Sequence, residues 1–329
     1  MSNHNIRKEV MKTLEPEIDS LIGKYLTPID KIWQPSDFLP DPQSDTFIED
    51  IREIQEISKD LGDEFWVVLI GDMVTEEALP TYESWIMDID GIEQSPENGW
   101  SKWVRKWTAE ENRHGDVLNK YLYLSGRVNM REVEISTQHL IADGFDIGTA
   151  KDPYKNFIYT SFQELATFVS HTNVGKIAAD KGHKTLAKMS KFIAGDEMRH
   201  HLAYSKFISK VFEIDASEMM IAFSDMMKYK IIMPAMHLRE SGEEKGTFFD
   251  AFSAVAQKLG VYTGFDYVDI MNRLNDNWKI AEINNLTDEA EKARDYLMKL
   301  PDRMFRIAER YKPEFDSYNF KWITPALVK

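Results

Sequence analysis

Residues 110–115 read EENRHG, and residues 196–201 read DEMRHH. Each stretch contains a Glu followed three residues later by a His: Glu111 with His114, and Glu197 with His200. Two such spacings are not improbable by chance in a chain with eight His. Their meaning therefore depends on which face of a helix they occupy.

Both pairs interrupt apolar stripes with helical spacing. The first stripe consists of Trp100, Trp103, Trp107, Leu118 and Tyr121, and the second of Leu186, Met189, Ile193, Tyr204, Phe207 and Val211. Residues three and four apart share one face of an α-helix, so both pairs are predicted to face the buried side. For His200 taken alone, a hydrogen-bonded core histidine is an alternative interpretation, which two inward pairs with one spacing weaken.

A capping box is the alternative interpretation of the first pair. Thr108 and Glu111 have the spacing of such a box, which would begin a helix at that point. The apolar stripe already begins near Trp100, however, so a helix that starts there is favoured.

Two single carboxylates extend the pattern into an internal repeat. Glu76 continues a stripe of Phe65, Leu69 and Met73, and Glu164 lies in line with Phe157, Ser161 and Phe168. Glu76 precedes Glu111 by 35 residues, and Glu164 precedes Glu197 by 33. A single Glu on each of two helices and a Glu-x-x-His on each of the other two form the carboxylate-bridged two-metal site of a four-helix bundle. The pattern therefore predicts an all-α four-helix bundle with additional helices.

The energetics of burial favour metal binding at these six residues. Four converging carboxylates without cations would each be desolvated and would repel one another. Two divalent ions supply four positive charges. Hard oxygen ligands with only two imidazoles suit iron or manganese better than copper or zinc.

Composition excludes several other functions. The hydrophobic content of 43% and the charged content of 29% are typical of a soluble globular protein. The chain has no Cys, which excludes disulfides, zinc–thiolate sites and a thiol nucleophile. The net charge of −15 argues against nucleic-acid binding. No apolar run approaches the roughly 18 residues of a membrane span, and the N-terminus lacks a signal-peptide core, so a cytoplasmic enzyme or a processed plastid form is predicted.

The chain is predicted to form one domain over residues 1–329. No segment is long or biased enough to be a domain linker. Residues 1–50 are predicted to be an irregular arm with one helix, about 50–290 the helical core, and about 290–329 a terminal helix and tail.

Six stretches of the sequence resemble the soluble acyl-[acyl-carrier-protein] desaturases, the stearoyl-carrier-protein desaturase family. They are GDMVTEEALPTY (71–82), WTAEENRHGDVLNKYLYLSGRVNM (107–130), FIYTSFQELATF (157–168), DEMRH (196–200), FSDMMKYKIIMPA (223–235) and FSAVAQKLGVYTGFDY (252–267). The resemblance covers most of the chain from about Trp33 to Trp278. It implies a ferritin-like helical homodimer with a di-iron centre. Such an enzyme uses dioxygen and two electrons from ferredoxin to desaturate an acyl chain on acyl carrier protein.

The resemblance also assigns roles to individual residues. By position, the iron ligands fall on Glu76, Glu111, His114, Glu164, Glu197 and His200. Asp196 would orient His114, and Trp33 with Asp196 would pass electrons inward from the surface. Thr167 would place a catalytic hydroxyl beside the oxygen site; a helix Thr bonded to a backbone carbonyl is the alternative.

A substrate tunnel and a docking surface follow from the same resemblance. The predicted tunnel residues are Trp85, Ile89 and Phe157. Trp85 stands where the family usually has a smaller residue, and it shares a helix face with Glu76 unless Pro80 kinks that helix. A core tryptophan without a role in the tunnel is the alternative. An acidic carrier needs a local basic patch on this acidic chain. Arg199, which should point away from the metals, and Lys228 are the predicted docking residues, with a contribution from Lys230.

Three other functions remain open from the sequence. They are a ferritin-like iron oxidase without an organic substrate, a radical-generating di-iron subunit, and a structural bundle with incidental buried acids. The length of the chain argues against a storage protein, and the quoted stretches do not resemble the radical-generating subunits.

Overall fold

The structure is a computed structural model that describes residues 3–246, 248–312 and 318–323, and α-helices dominate it. Within these ranges the only β pairing is an isolated antiparallel bridge between Val128 and Ile323. The helices are α1 (Asn3–Leu14), α2 (Ile18–Tyr25), α3 (Phe47–Ile57), α4 (Asp63–Glu77), α5 (Leu79–Met87), α6 (Gly99–Ser125), α7 (Met130–Asp143), α8 (Pro153–Asp180), α9 (Lys184–Ile214), α10 (Ala216–Tyr229), α11 (Phe249–Lys258), α12 (Gly264–Asn277) and α13 (Asp288–Arg310).

The ends of the long helices are encoded locally. The Asn98 side chain accepts a hydrogen bond from Ser101 N at the start of α6, and Gly126 ends this helix at φ 65°. Asp152 caps α8 in the same way, with Pro153 in its first turn. Thr108 lies inside α6, so the capping-box interpretation of this residue is wrong.

Helices α4, α6, α8 and α9 form the central bundle. Helix α4 contacts α8 where Ser170 Oγ donates to Asp72, and α6 contacts α9 where Trp103 Nε1 donates to Tyr204. Helices α4 and α6 approach closely at Gly115, where an added Cβ would lie 2.8 Å from Glu77 Cγ. A side chain there would push away the turn of α4 that carries Glu76.

The helical conformation is interrupted between α4 and α5. Helix α4 ends at Glu77, Ala78 leaves the helical region, and α5 begins with Pro80 in its first turn. Because proline lacks an amide donor, it suits the start of a helix and not its interior. Glu76 and Trp85 therefore lie on separate helices and not on one continuous face.

The two ends of the chain pack onto the bundle. The hydrophobic core is contiguous from Val10 to Trp322. Residues 1–50 contain more helix than predicted, because α1, α2 and the start of α3 lie there. The predicted terminal helix is α13, whereas residues 313–317 and 324–329 of the predicted tail lie outside the described residues.

A helix that crosses a membrane is long and apolar, and the helices given above can be compared with that requirement. None of those in the described ranges combines the length and the apolarity that crossing a bilayer requires.

Candidate metal centre

The bundle brings all six predicted ligands together. Two groups could each hold a metal ion, and within each group the potential ligand atoms lie within 4.8 Å of one another. The first group is Glu76, Glu111, His114 and Glu197, and the second is Glu111, Glu164, Glu197 and His200. Glu111 and Glu197 belong to both groups, which is the arrangement of carboxylates that bridge two metals.

Burial shifts the pKa values of the clustered carboxyl and imidazole groups. Burial, and then the charge of Glu111, raise the pKa of Glu164 and of Glu197. Burial alone would lower the pKa of His114, but the neighbouring carboxylates, Glu111 first, raise it well above its usual range. The cluster therefore requires positive charge, either as protons or as metal ions.

Several carboxylate and imidazole atoms at the centre are available as metal ligands. Four buried atoms at the centre have no hydrogen-bond partner: Glu111 Oε1, Glu197 Oε1, His114 Nδ1 and His200 Nδ1. His114 Nδ1 lies 3.2 Å from Glu111 Oε2 and 3.0 Å from Glu197 Oε1, so the donors converge. Buried polar atoms are rarely left unpaired. Carboxylate and imidazole donors in this ratio suit hard or intermediate divalent ions such as iron or manganese.

Each imidazole is held from behind by a carboxylate. His114 Nε2 lies 3.3 Å from Asp196 Oδ2, as predicted for Asp196. His200 Nε2 lies 2.9 Å from Glu110 Oε2, which the sequence reasoning missed. The signal was present, because Glu110 precedes Glu111 as Asp196 precedes Glu197. These contacts direct both Nδ1 atoms to the centre.

Trp33 connects Asp196 to the outer face of the bundle. Its indole Nε1 donates to Asp196 Oδ2 over 2.9 Å, and its ring stacks on His114 with centroids 6.0 Å apart and planes 11° apart. The guanidinium carbon of Arg113 lies 4.0 Å from the centroid of the Trp33 ring. Trp33 is partly exposed, so its contacts run from the surface to an imidazole of the cluster.

The hydroxyl of Thr167 lies at the cluster. It donates to Glu197 Oε2 over 2.7 Å and also lies 3.1 Å from the carbonyls of Gln163 and Glu164. The interpretation as a helix Thr bonded to a backbone carbonyl is therefore confirmed, and the catalytic role of the hydroxyl stays a prediction.

A further histidine beside a ligand, His171, was not predicted. His171 Nε2 lies 3.0 Å from Glu76 Oε1, and its buried Nδ1 has no partner. Nearby, burial raises the pKa of Asp72, which accepts from Ser170, to about 6. His171 follows Glu164 by seven residues, which is two helical turns, and this spacing could have indicated a shared face.

A cavity of about 560 Å³ reaches the cluster. Glu76, Glu111, Glu164 and Glu197 line it on one side, and side chains such as Leu79, Ile86 and Ile231 line it further away. Trp85 lies in its wall and packs edge-on against Phe145, with centroids 4.7 Å apart. A largely apolar cavity with a few converging polar groups is the usual form of a ligand site.

Two predicted tunnel residues lie outside this wall. Phe157 packs into an aromatic cluster with Trp100 and Phe207, at centroid distances of 5.3 and 5.6 Å. The Phe157 side chain, on the inward stripe of α8, therefore fills space in the core between the helices. Ile89 follows the end of α5 and is buried in the core, not among the lining residues.

The predicted docking residues occupy different environments. Arg199 Nη2 lies 2.9 Å from Glu110 Oε2 and 2.5 Å from Asp196 Oδ1. The guanidinium thus pairs with the acids that contact the Nε2 atoms of the imidazoles, whereas the candidate ligand atoms Nδ1 lie on the other side of the rings. Lys228 is exposed beside Asp225, and exposed Lys230 lines the cavity. Their part in docking remains a prediction.

Comparison with known families agrees with this geometry. The sequence profile described as "Fatty acid desaturase" matches residues 6–324. The chain belongs to this family. It is 48% identical to the chloroplastic stearoyl-[acyl-carrier-protein] 9-desaturase of Gossypium hirsutum, over 100% of this chain and 84% of that protein. It is 49% identical to the enzyme of the same name from Ricinus communis, over 98% of this chain and 82% of that protein.

Comparison with solved structures supports the fold. The X-ray structure of DesA2 from Mycobacterium tuberculosis H37Rv aligns with a TM-score of 0.52 and 18% identity. The alignment covers 87% of this chain and 99% of DesA2. DesA2 thus shares the helical fold of this chain at low sequence identity.

Proposed function

We propose that this chain desaturates an acyl chain carried on acyl carrier protein, using a di-iron centre, dioxygen and two electrons from ferredoxin. The observation that carries the proposal is that two ligand groups sharing Glu111 and Glu197 face a largely apolar cavity. Relatives named stearoyl-[acyl-carrier-protein] 9-desaturases, 48–49% identical over nearly the whole chain, support the choice of substrate.

The proposed ligands divide between the two irons. Glu76 and His114 would hold one iron, Glu164 and His200 the other, and Glu111 and Glu197 would bridge them. When bound, the irons supply the activation of dioxygen that removal of two unactivated hydrogens requires.

Residues of the chain would prepare the site for this chemistry. Asp196 and Glu110 hold the imidazoles so that both Nδ1 atoms face inward. The hydroxyl of Thr167 donates a hydrogen bond to the carboxylate of Glu197 and can hold a proton beside the cavity. The cavity would exclude water and align the extended acyl chain with the carboxylates. Trp33 and Asp196 would form the path for electrons.

Further parts of the proposal concern assembly and partners. The contiguous core supports one domain over residues 1–329. We propose a homodimer that docks acidic carrier protein on a basic patch including Lys228, with Arg199 as a weaker candidate. The proposed location is the cytoplasm or, for a processed form, the plastid stroma, as the chloroplastic names of the relatives suggest.

The test is a product assay on the full chain. Protein reconstituted anaerobically with ferrous iron is mixed with stearoyl- or palmitoyl-carrier protein, ferredoxin, its reductase and reduced nicotinamide cofactor, and then with oxygen. Mass spectrometry of the released fatty acids should show a loss of two hydrogens. Glu77→Ala serves as control, because Glu77 neighbours a ligand yet belongs to neither metal group.

Oxygen consumption separates desaturation from iron handling. Stearoyl- or palmitoyl-carrier protein should stimulate oxygen consumption strongly, with one double bond formed for each dioxygen consumed. Oxygen use that acyl carrier protein leaves unchanged, without an unsaturated product, would instead identify a ferritin-like iron oxidase.

A further inference from the structure

We propose that Arg199 is a positioning residue that couples the two imidazoles of the centre, so that their orientations are set together. This inference rests on the proposed metal centre and extends it to a residue outside the ligand set. Its basis is a crossed network of charged side chains between α6 and α9.

The network arises from a motif that occurs twice. Residues 110–114 and 196–200 both read acid, Glu, any residue, Arg, His. In the structure the acid of each motif serves the His of the other: Glu110 contacts His200, and Asp196 contacts His114. Helices α6 and α9 thus exchange the carboxylates that orient their imidazoles.

The two arginines of the motif differ in what they bind. Arg113 Nη2 donates to Asp196 Oδ2 over 2.7 Å, and its Nη1 donates to the carbonyl of Trp33. Arg199 Nη2 donates to both acids, to Glu110 Oε2 over 2.9 Å and to Asp196 Oδ1 over 2.5 Å. The pair Glu110–His200 and the pair Asp196–His114 are the two branches of this network. Arg199 contacts the acids of both branches, whereas Arg113 contacts only the acid of the His114 branch.

The guanidinium of Arg199 is itself held in place. Its Nη1 donates to the carbonyl of Tyr25 over 2.6 Å, at the end of α2. Glu110 is fixed from the same segment, because its Oε1 accepts from the amide of Thr27. The N-terminal arm thus closes this side of the centre.

Charge and shape both favour arginine at this position. Glu110 and Asp196 are 2% and 5% exposed, so each needs a compensating cation. A planar guanidinium presents several donors in a fixed geometry and can bind two carboxylates and a carbonyl together. The ammonium of lysine offers a single nitrogen on a shorter reach. Loss of the guanidinium should release both acids, and with them both imidazoles.

The experiment uses full-length protein loaded with Co²⁺ in place of iron. An imidazole bound to Co²⁺ through Nδ1 keeps an exchangeable proton on Nε2, and the paramagnetic ion shifts its NMR signal far from the protein envelope. Two such signals that vanish in D2O are expected, one from each imidazole. Arg199→Gln is compared with Arg113→Gln and Glu110→Gln, and Co²⁺ affinities are measured by absorption titration.

The variants should separate the two branches. Arg199→Gln should move both signals and weaken both Co²⁺ affinities by about 10-fold or more. Arg113→Gln should move mainly one signal, and Glu110→Gln mainly the other. If Arg199→Gln fails to fold, Arg199→Lys takes its place and should still move both signals, by a smaller amount.

The outcomes distinguish this inference from the proposed function. Movement of one signal or none in the Arg199 variants would overturn the coupling, whatever the activity. A wild type that binds two Co²⁺ and behaves as expected, yet forms no unsaturated product, would support the coupling and contradict the desaturase. Binding of fewer than two Co²⁺ would overturn both.

Discussion

The indole of Trp33 stacks on the imidazole of His114 while its Nε1 donates to Asp196, the carboxylate that contacts the same imidazole. Trp33 therefore touches the candidate ligand in two ways, through its ring and through a hydrogen-bonded carboxylate. Since it lies at the partly exposed end of this chain of contacts, it is the expected point of entry for electrons.

Trp33→Phe should slow reduction of the centre without dissociating it. Phenylalanine keeps an aromatic ring over His114 but loses the donor to Asp196. Turnover with ferredoxin should fall by about 10-fold or more, while the iron content stays at the wild-type value. Stopped-flow reduction by ferredoxin measures the electron step, and oxidation of chemically reduced enzyme serves as the control. Equal reduction rates in both proteins would remove Trp33 from the path.

Glu111→Ala should abolish binding of both metals, whereas Glu76→Ala should leave one. Glu111 belongs to both ligand groups, and Glu76 belongs only to the group of His114. Removing a shared carboxylate takes a negative charge from both ions. Iron per chain after anaerobic reconstitution, measured with a chelator assay, gives the answer directly. Glu77→Ala should bind as much iron as wild type, and two retained irons in Glu111→Ala would contradict the bridging assignment.

Thr167→Val should impair activity more than stability. The substitution removes the donor to Glu197 Oε2, and a hydrogen bond of this kind contributes about 1 kcal/mol to folding. Unsaturated product formed per dioxygen consumed should fall, because the proton beside the carboxylate is lost. Thr167→Ser retains a hydroxyl and should retain the coupling. If valine and serine behave alike, the hydroxyl has only its helical role.

The six proposed ligands were predictable because their identity and spacing carry the information. A Glu or His on an apolar stripe is visible in the sequence, and a helix converts spacing into direction. Glu76, Glu164 and both Glu-x-x-His pairs could thus be assigned to one centre before any contact was known.

Residues that act through tertiary contacts were harder to predict. Arg199 looks like an ordinary surface charge on its own helix, and only the crossing of α6 over α9 brings it to Glu110. Phe157 shows the opposite error, since an inward stripe identifies burial but not whether the side chain meets another ring or a cavity. Ile89 lies beyond the break at Pro80, where helical spacing no longer gives direction.

Glu240 should make stability fall with rising pH. Burial raises its pKa above the ordinary value of 4.5, and its carboxylate accepts from Tyr318 and from Trp322 N. The unfolded chain loses this proton near pH 4.5, and the folded protein loses it only at higher pH. Between those values the folded state holds more protons, so unfolding becomes easier by up to about 1.4 kcal/mol per pH unit.

Glu240→Gln should remove this loss of stability. The melting temperature of the variant relative to wild type should rise as the pH increases from about 4.5, and then level off above the folded pKa. Gln keeps one carbonyl oxygen to accept from Trp322 N, and its amide NH2 can donate to the hydroxyl oxygen of Tyr318. Exposed Glu309→Gln on α13 is the matched control and should follow wild type. A difference between variant and wild type that stays constant with pH would show that Glu240 ionises normally.

Trp85 should limit the length of the acyl chain. Its side chain lies in the cavity wall and is supported by Phe145, so it occupies volume that a longer tail would need. Each methylene that gains burial contributes about 0.8 kcal/mol. Two additional methylenes should therefore raise the ratio of eighteen- to sixteen-carbon activity by roughly 10-fold in Trp85→Ala. Trp85→Met, which fills more of the space, should give a smaller rise.

The comparison requires a control for general loosening of the core. Ile89→Val removes one buried methylene outside the cavity wall, so it should lower the melting temperature slightly and leave the ratio unchanged. Activity on both acyl carriers is measured as kcat/KM for wild type and all three variants. A ratio that moves equally in Ile89→Val and Trp85→Ala would assign the effect to flexibility, and an unchanged ratio in Trp85→Ala would show that the tail does not reach the indole.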